Sequence, residues 1–434
     1  MFSKILVANR GEVAVRIIRA CKEMGIQTVA VYSEADRNSL PAALADERIC
    51  IGGSAAAESY LNQKNIISAA LAAGAEAIHP GYGFLSENAD FARLCEENGV
   101  VFIGPKSEVI AAMGDKEASR RLMQKVGVPV VPGTGILQDT AEAKMLAGEI
   151  GYPLLVKATA GGGGKGIRVA EQEEELEEAF RSASREAESA FGNGGVFLEK
   201  YLTGVRHVEM QIIADHFGNT LCLGERDCSL QIKKQKVLEE TPSPVMTEEI
   251  RQKMMDAAVL AAKAANYTNA GTVEFLLAPD GQFYFIEMNT RLQVEHPITE
   301  EVSGMDIVKW QIRIACEVPL EMKQTDVCLR GHAMECRINA RSTGKVEFLH
   351  IPGGGRVHFD TALLQGCEVV PFYDSMLGKL IVHAPTREDA IRKMEAALCE
   401  IVIQGIETNI DEQLELVRSE AFRTGIYHTL TLSV

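Results

Sequence analysis

The sequence predicts an α/β fold with an N-terminal doubly wound parallel sheet, a middle region carrying a mobile lid, and a C-terminal mixed α+β region. Near the N-terminus, short apolar runs alternate with apolar residues at helical spacing, which is typical of a parallel sheet flanked by helices. A small block bounded by proline and glycine follows. The remaining residues mix strand and helix patterns.

Composition excludes several classes of protein. The 434 residues include 44 Lys and Arg against 60 Asp and Glu, a net charge of −16. Nucleic-acid binders concentrate positive charge, so we expect no nucleic-acid partner. No apolar run approaches the roughly 20 residues that span a bilayer, and the N-terminus lacks a signal-peptide layout, so we expect no membrane partner. Ten scattered cysteines without a Cys-x-x-Cys pair argue against zinc and disulfides and favour the cytoplasm.

Residues 1–114 carry the pattern of the parallel sheet. The first strand is predicted at Lys4–Ala8. The apolar residues of the following helix recur at helical spacing, at Val13, Ile17, Cys21 and Met24. Further strands are predicted at Gln27–Tyr32, Ala75–His79 and Val100–Ile103.

The second block, at about 130–203, is predicted to be the lid. It opens with hinge-like punctuation at Pro129, Pro132 and Gly133, and it is small for an independent domain. Its predicted elements are the strands Pro153–Ala158, Ile167–Ala170 and Val196–Tyr201 and the helix Glu173–Glu188. The third block, 204–434, starts with the strands His207–Ile213 and Thr220–Glu225 and includes a late helix at Glu388–Ile401.

A glycine run is the strongest local signal for chemistry. Gly161–Gly164 follow a predicted strand in which Lys157 supplies a positive charge. Four residues without Cβ atoms allow successive backbone N–H groups to turn toward an anion. The spacing fits neither a P-loop nor a dinucleotide fingerprint. A flexible linker is the alternative, but the position between two strands favours a cover for phosphate.

A predicted hairpin brings two carboxylates together. The strands Thr272–Ala278 and Gln282–Met288 flank Asp280-Gly281, and a two-residue turn there places Glu274 opposite Glu287. Two facing carboxylates repel each other, and a hard cation such as Mg²⁺ between them removes the conflict. The alternative is an exposed sheet face with two surface acids.

The segment after this hairpin, Glu287–Pro297, holds polar groups of every hydrogen-bonding type. Such a loop can bind a charged substrate and offer a base, Glu295. We interpret His296 as structural, because nothing else singles it out. The basic residues Lys233, Lys234 and Lys236 are notable in an acidic chain and could neutralise a small anion.

These motifs together resemble the ATP-grasp superfamily, and within it biotin carboxylase, over nearly the whole chain. The most specific set is ERDCS at Glu225–Ser229, EMNTRLQVEHP at Glu287–Pro297 and ECRIN at Glu335–Asn339. The other motifs are Lys4–Glu12, His79–Asn88, Gly114–Lys116, Lys157–Gly166, Glu199–Tyr201 and His207–Gln211. The resemblance implies an N-terminal domain at 1–114, an ATP-grasp domain at 115–330 with its lid at 131–203, and a C-terminal domain at 331–434.

The resemblance implies ATP- and bicarbonate-dependent carboxylation of biotin. ATP phosphorylates bicarbonate to carboxyphosphate, which decomposes to CO₂ and phosphate before biotin is deprotonated at N1. By position, Glu295 matches the base that acts on bicarbonate, and Arg337 matches the residue that stabilises the biotin enolate. Lys236 and Arg291 match the other catalytic positions.

The same resemblance implies the binding residues. ATP-binding positions are Lys116, Lys157, Gly161, Gly162, Gly163, Gly164, Glu199, Lys200, Leu202, His207, Gln231, Lys234, Glu274 and Glu287. Bicarbonate- and biotin-binding positions are Tyr82, Lys236, Arg291, Gln293, Val294, Glu295 and Arg337. Magnesium, or manganese, is expected at Glu274, Glu287 and Asn289.

Partners also follow from the resemblance. The chain ends before a carboxyltransferase domain and lacks an Ala-Met-Lys-Met biotinylation motif, so we expect a stand-alone subunit of an acetyl-CoA carboxylase. Its partners would be a biotin carboxyl carrier protein and carboxyltransferase subunits. Family members are commonly homodimers, and Arg19 and Glu23 fall at their dimer contacts. The chain departs from the family pattern in Lys234, where many members carry His, in a short segment at 341–347, and in a short C-terminal tail.

Three alternatives stay open at the level of sequence. A subunit of a propionyl-CoA or pyruvate-type carboxylase would look much the same. A different ATP-grasp ligase is disfavoured by Arg337 together with the Glu295 loop. A catalytically inactive scaffold is disfavoured because Lys236, Glu274 and Glu287 are also all present.

Overall fold

The computed structural model describes residues 1–158, 167–191 and 194–432. The described chain forms two compact units. The larger unit consists of Met1–Val128, Arg206–Leu276 and Glu287–Val434, and the smaller one of Pro129–Val205 with Leu277–Ile286. No helix in the described ranges is both long enough and apolar enough to cross a membrane.

The first part of the larger unit is a parallel sheet between helices. Its elements are β1 (Lys4–Val7), α1 (Gly11–Glu23), β2 (Gln27–Tyr32), α2 (Leu40–Leu44), β3 (Glu47–Cys50), α3 (Gln63–Ala73), β4 (Ala77–His79), α4 (Ala89–Glu97), β5 (Val101–Phe102), α5 (Ser107–Gly114) and α6 (Lys116–Lys125). The strand order is β3-β2-β1-β4-β5, and the pairs are parallel.

Side chains of β1 alternate between two apolar cores. Ile5 and Val7 pack in the core that contains α1, whereas Leu6 lies in the core that contains α3 and α4. Helices therefore cover both faces of the sheet, and the predicted doubly wound arrangement is confirmed. The predicted apolar face of α1 is also confirmed, since Val13 and Ile17 are fully buried.

The smaller unit contains α7 (Thr140–Ile150), β6 (Leu154–Ala158), β7 (Ile167–Ala170), α8 (Glu173–Phe191) and β8 (Val196–Lys200). Its three strands are antiparallel in the order β7-β6-β8. Leu154 and Val156 of β6 face Leu198 of β8 and the buried alanines of both helices, which form one small core.

The larger unit resumes at Arg206, although Leu277–Ile286, within the hairpin at residues 269–289, belong to the smaller unit. Its elements are β9 (Arg206–Ala214), β10 (Thr220–Ile232), β11 (Gln235–Thr241), α9 (Glu248–Ala264), β12 (Asn269–Leu277), β13 (Phe283–Asn289), α10 (His296–Ser303), α11 (Ile307–Ala315), β14 (His332–Asn339), β15 (Gly344–Lys345), β16 (Phe348–His350), β17 (Val357–Thr361), β18 (Glu368–Val369), β19 (Met376–Ala384), α12 (Arg387–Glu400), β20 (Val402–Gln404), α13 (Ile410–Arg418) and α14 (Glu420–Thr424). An eight-stranded sheet runs in the order β13-β12-β9-β10-β11-β14-β19-β17.

The turn between β12 and β13 differs from the predicted one. The amide of Ala278 donates to the carbonyl of Gln282 at 2.8 Å, and the amide of Gly281 donates to the carbonyl of Ala278 at 3.0 Å. The turn therefore has three residues rather than two. The predicted two-residue turn is wrong, and with it the register at the turn from which Glu274 was placed opposite Glu287. Gly281 takes the left-handed conformation, with φ +84°. Proline fixes φ near −65°, so Pro279 favours a type I turn closed by this glycine.

Candidate active site

A buried network of ion pairs forms where β9 and β11 of the large sheet come within reach of the segment before α10. Lys236 of β11 lies at its centre. Its Nζ is 2.6 Å from Oε1 of Glu295, 2.7 Å from Oε2 of Glu209 and 3.4 Å from Oε1 of Glu274. One ammonium therefore contacts three buried carboxylates, and it stays charged because Cys228 and these carboxylates outweigh burial and raise the pKa of Lys236.

Arg226 of β10 orients Glu209 within this network. Its guanidinium is fully buried and donates from Nε to Oε1 of Glu209 at 2.6 Å. The other nitrogens donate to Gln211, Thr299 and Thr272 at 2.7, 2.9 and 3.2 Å. These contacts fix the planar guanidinium of Arg226, and the guanidinium in turn orients the Glu209 carboxylate toward Lys236.

Arg337 of β14 holds the other side of Glu295. Its Nη2 lies 3.0 Å from Oε2 of Glu295, and its Nε donates to Oε1 of Glu239 at 2.7 Å. Lys236 contacts one oxygen of Glu295 and Arg337 contacts the other. The predicted base thus lies between the two predicted catalytic cations, although the three residues are far apart in sequence.

Glu295 is ionised in this arrangement. Burial alone would raise the pKa of its carboxyl, but Lys236, Arg337 and Arg226 lower it well below the ordinary value. A deprotonated carboxylate can accept a proton, as a general base must. Any anion that draws Lys236 or Arg337 away would weaken this effect and make Glu295 more basic.

Glu274 of β12 forms a second polar group beside the first. His207 Nε2 lies 2.9 Å from its Oε2, and the amides of Asn289 and Gln293 donate to its Oε1 at 2.8 and 3.0 Å. Burial opposes its charge, but Lys236 and then His207 lower the pKa of Glu274. Conversely, burial lowers the pKa of His207, and Glu274 more than reverses that effect.

The predicted metal ligands divide between two positions. Asn289 contacts Glu274, whereas the carboxylate of Glu287 is about one third exposed and lies 3.1 Å from Nζ of Lys116. Among described residues, ligand atoms of His207, Glu209 and Glu274 lie close enough to share one ion. The predicted ligands Glu274, Glu287 and Asn289 each offer a side-chain oxygen, the ligand type that a hard cation such as Mg²⁺ prefers, so the residues fit the expected metal.

The segment from Arg291 to Glu295 is held from several directions. Arg291 donates from Nε to Glu87 at 2.8 Å and from Nη2 to Oδ1 of Asn289 at 2.9 Å. Its Nη1 also reaches Oε1 of Gln293 at 3.3 Å. His296 is buried with Nδ1 2.8 Å from the carbonyl of Gln293, and burial lowers its pKa, so it is neutral and has the expected structural position.

Two further backbone and side-chain contacts complete this part of the unit. The carbonyl of Val294 accepts a hydrogen bond from Nζ of Lys379 at 2.8 Å. Tyr82 lies in the loop between β4 and α4, and its hydroxyl bonds to the carboxylate of Glu12.

The remaining predicted nucleotide residues of the larger unit lie nearer the surface. The side-chain amide of Gln231 is 2.9 Å from Nδ1 of His207. Lys233 and Lys234 form the two-residue turn between β10 and β11, with positive φ at both. Both φ values match a type I′ hairpin turn, and Lys234 is exposed at its tip. Lys116 is the first residue of α6 and is largely exposed.

In the smaller unit, Lys157 of β6 forms an ion pair with Glu199 of β8. Lys200 donates to the carbonyls of Gly151 and Tyr152 at 3.0 and 2.7 Å, and Leu202 follows β8 in a half-buried position. The predicted phosphate cover, Gly161–Gly164, lies outside the described residues.

Sequence reasoning missed three charged residues that organise the site: Glu209, Arg226 and Glu239. Each occupies an inward position of a strand. The available signal was strand alternation, because Glu209 has the same parity as His207 and Gln211, and adjacent inward polar residues in apolar strands indicate a shared polar cluster.

The chain is similar to known proteins over nearly its whole length. Family models match residues 1–110 (biotin carboxylase, N-terminal domain), 115–323 (carbamoyl-phosphate synthase L chain, ATP binding domain) and 335–434 (biotin carboxylase C-terminal domain). Biotin carboxylase 1 of Bacillus subtilis is 54% identical over 99% of this chain and 98% of its own length. A pyruvate carboxylase subunit of Methanothermobacter thermautotrophicus is 52% identical over 99% of this chain and 89% of its own.

A solved structure has the same fold. The biotin carboxylase domain dimer of Hydrogenobacter thermophilus 2-oxoglutarate carboxylase, in complex with MgADP, ADP and bicarbonate, matches with a TM-score of 0.90 at 49% identity. The match covers 100% of this chain and 97% of that one. Fold and site together define an ATP-grasp ligase. Within that class the chain belongs to the biotin carboxylase family, and the resemblance read from the sequence is confirmed.

Proposed function

We propose that this chain uses ATP to transfer the carboxyl group of bicarbonate to N1 of biotin on a separate biotin carboxyl carrier protein. This would be the first half-reaction of an acetyl-CoA carboxylase. One observation carries the proposal: Glu295 is fully buried and is held through one oxygen by Lys236 and through the other by Arg337. A general base and two fixed cations are what bicarbonate activation and enolate stabilisation require.

Glu295 acts in the first step. Bicarbonate carries a negative charge, competes with Glu295 for the ammonium of Lys236 and also binds the guanidinium of Arg291. As these contacts form, the pKa of Glu295 rises toward its ordinary value, because Lys236 is the largest charge that lowers it. Glu295 then takes the bicarbonate proton, and the freed oxygen attacks the γ-phosphorus of ATP, which gives carboxyphosphate and ADP.

Arg337 acts in the second step. Carboxyphosphate decomposes to CO₂ and phosphate, and loss of the N1 proton to phosphate leaves negative charge on the ureido oxygen of biotin. The guanidinium of Arg337 is permanently charged and offers a fork of donors to this oxygen. Tyr82 flanks biotin, while Gln293 and Val294 contact bicarbonate. The N1 lone pair then attacks the carbon of CO₂.

The nucleotide contacts follow the family resemblance. The residues assigned to the nucleotide are Lys116, His207, Gln231, Lys234, Lys157, Glu199, Lys200, Leu202 and Gly161–Gly164. Magnesium, when bound by Glu274 and Glu287 with Asn289, would neutralise charge on the ATP phosphates. We further propose that residues 131–203 close as a lid and exclude water from carboxyphosphate.

Assembly and location complete the proposal. The partners are the carrier protein, carboxyltransferase subunits and a second copy of the chain, with Arg19 and Glu23 at the dimer contact. Both residues are exposed one helical turn apart on α1, which suits an interface. A cytoplasmic location is supported by the ten cysteines, all of which are unpaired.

A pyruvate-type carboxylase subunit is the second candidate, because the Methanothermobacter relative is named as one. Carboxyl transfer from ATP and bicarbonate to biotin is common to both, so kinetics with free biotin do not separate them. The two candidates are separated by the rates at which the chain carboxylates the isolated biotinylated carrier of each complex. We expect the higher rate with the acetyl-CoA carboxylase carrier.

The test of the chemistry is ATP hydrolysis measured with and without bicarbonate and free biotin. We expect hydrolysis to require bicarbonate and to rise when biotin is added. Arg337→Gln should retain bicarbonate-dependent ATP cleavage but lose biotin carboxylation by roughly 10²–10³-fold, whereas Glu295→Ala should lose both. Arg392→Gln, at an exposed surface pair, is the matched control. Carboxylation by Arg337→Gln at the parent rate would contradict the mechanism.

A further inference from the structure

Lys379 is a fully buried lysine that the proposed mechanism does not use. It lies on β19 with no exposed surface. Its Nζ donates to the backbone carbonyl of Val294 at 2.8 Å and lies 3.2 Å from Oε1 of Glu12. Burying an ammonium costs free energy unless it is well paired, so a lysine at this position suggests a specific role.

The position of Lys379 in the sheet is directly opposite Arg337. The register of β14 and β19 pairs these two residues, so two cations stand side by side on one face of the sheet. Like charges in facing positions repel each other, which makes this pair unfavourable on its own. Both cations nevertheless reach the same segment: Arg337 contacts the side chain of Glu295, and Lys379 contacts the carbonyl of Val294.

Buried acids compensate for this repulsion. Glu12 faces Lys379 from α1, and Glu335 of β14 lies near it with neither carboxylate oxygen hydrogen-bonded among the described residues. Asp360 of β17 also acts on Lys379. Burial lowers the pKa of Lys379, but these three acids more than reverse the effect, so the side chain carries its charge.

The contact between Lys379 and Glu12 also leads to Tyr82. The carboxylate of Glu12 accepts a hydrogen bond from the Tyr82 hydroxyl through the same oxygen that faces Lys379. One buried chain of contacts therefore joins Tyr82, on the proposed biotin side, to the carbonyl of Val294, on the proposed bicarbonate side.

We infer that Lys379 is a positioning residue that fixes the Val294 peptide, and through it the bicarbonate-binding segment and the Glu295 carboxylate. The inference rests on the proposed function and adds a residue to it. Lys379 contacts neither substrate in this account; it acts by holding the backbone one residue before the base. The effect of losing it should therefore fall on bicarbonate and not on the nucleotide.

The test compares Lys379→Met and Glu12→Gln with the parent. Bicarbonate-dependent ATP hydrolysis at saturating MgATP gives the KM for bicarbonate, and calorimetric titration gives the Kd for MgATP. For Lys379→Met we expect the bicarbonate KM to rise about tenfold or more, while the MgATP Kd stays within about twofold. For Glu12→Gln, which keeps the Val294 contact but removes its counter-charge, we expect a rise of about three- to tenfold.

Lys393→Met is the matched control. Lys393 also donates to two backbone carbonyls, those of Gly355 and His383 at 3.0 and 2.7 Å, and neither of these acceptors is a proposed site residue. The bicarbonate KM of Lys393→Met should stay within about twofold of the parent value. A similar rise in this control and in Lys379→Met would show a general effect of losing a lysine–carbonyl bond and would overturn the inference.

The remaining outcomes also decide the question. An unchanged bicarbonate KM in Lys379→Met, or an equal weakening of bicarbonate and MgATP, would overturn the inference. If Lys379→Met does not fold, as judged by its thermal transition, Glu12→Gln decides: a selective rise supports the inference and no change overturns it. If the parent hydrolyses no ATP in response to bicarbonate, the proposed function itself fails, which is a separate result.

Discussion

Glu295 illustrates how a buried acid can be both ionised and ready to act as a base. Its carboxylate has no exposed surface, yet the cations Lys236 and Arg337 keep its pKa low. A carboxylate with so low a pKa is a weak base in the unliganded site. Because both cations also suit the anionic groups of the substrates, substrate binding and activation of the base are linked through the same two contacts.

Glu239 shows the opposite balance. It faces Arg337 but shares its surroundings with Glu295. Burial raises its pKa, Arg337 only partly offsets this, and the result is a pKa of about 7. The carboxyl therefore holds a proton more tightly in the folded chain than in the unfolded chain, where its pKa is near the ordinary 4.5.

This difference predicts a change of stability with pH. Between about pH 4.5 and 7 the folded state binds more protons at Glu239 than the unfolded state, so the free energy of unfolding should fall as pH rises through this window. Glu239→Gln removes the dependence. Between pH 5 and pH 7.5, we expect the free energy of unfolding of the parent, measured in urea, to fall by about 1–3 kcal/mol more than that of the variant. Glu248→Gln, at an exposed site, should follow the parent; identical slopes in all three would refute the assignment.

At the scale of elements, local patterns predicted most strands but not all of their lengths. β2 and β7 have the predicted ends, since each is a short apolar run between turn signals. β10 was predicted to end at Glu225 and continues to Ile232. Its second half carries Arg226 and Asp227, and charged residues of this kind favour the prediction of a turn. In the folded chain both residues are buried within the sheet, where they form ion pairs with distant residues.

The hairpin of β12 and β13 shows a similar limit. The presence of the hairpin was predictable from its two apolar runs and the Asp-Gly signal. Its register was not, because Pro279 selects a three-residue turn in place of the two-residue turn that Asp280-Gly281 alone would favour. A sequence pattern therefore predicts the position of a turn more reliably than the number of residues in the turn.

The same hairpin carries the predicted metal ligands, and this leads to a prediction. Glu287→Gln removes one negative charge while keeping the size of the side chain. We expect the magnesium concentration needed for half-maximal ATP hydrolysis to rise about tenfold or more, because Mg²⁺ binds carboxylate oxygen much better than amide oxygen. Glu248→Gln serves as the control on a distant helix, with no change expected. Saturation of Glu287→Gln at the parent magnesium concentration would remove Glu287 from the metal site.

At the scale of the whole molecule, the site could be predicted only through its resemblance to a family. Local reasoning singled out Glu295 and the glycine run, but it gave no reason to place Lys236 and Arg337 beside Glu295. These residues come together because β11 and β14 are neighbours in the eight-stranded sheet, and sheet order depends on contacts between distant segments. Glu209 lies within the motif His207–Gln211 but was not singled out, and Lys379 lies in none of the quoted motifs, so the positions of these two buried partners emerged only from the structure.

The smaller unit provides the last prediction, which concerns movement. It has its own small core, and its chain connections to the larger unit lie at residues 128–129, 205–206, 276–277 and 286–287. A unit with its own apolar core can keep its fold while it moves. Closure over the nucleotide would exclude water and protect a labile acyl phosphate from hydrolysis.

Two measurements test this closure. MgATP should slow amide hydrogen exchange in α7 and α8, which lie within the smaller unit, without a matching change in α12 of the larger unit. Gly163→Val adds a branched side chain to the predicted phosphate cover and should raise the KM for ATP by about tenfold, whereas Gly148→Ala, on α7 with open space around it, should leave that KM unchanged. If Gly163→Val has parental ATP kinetics, the glycine run is not a phosphate cover. If exchange in α7 and α8 is also insensitive to MgATP, the smaller unit is not a lid, and protection of carboxyphosphate must come from the buried cluster around Glu295 alone.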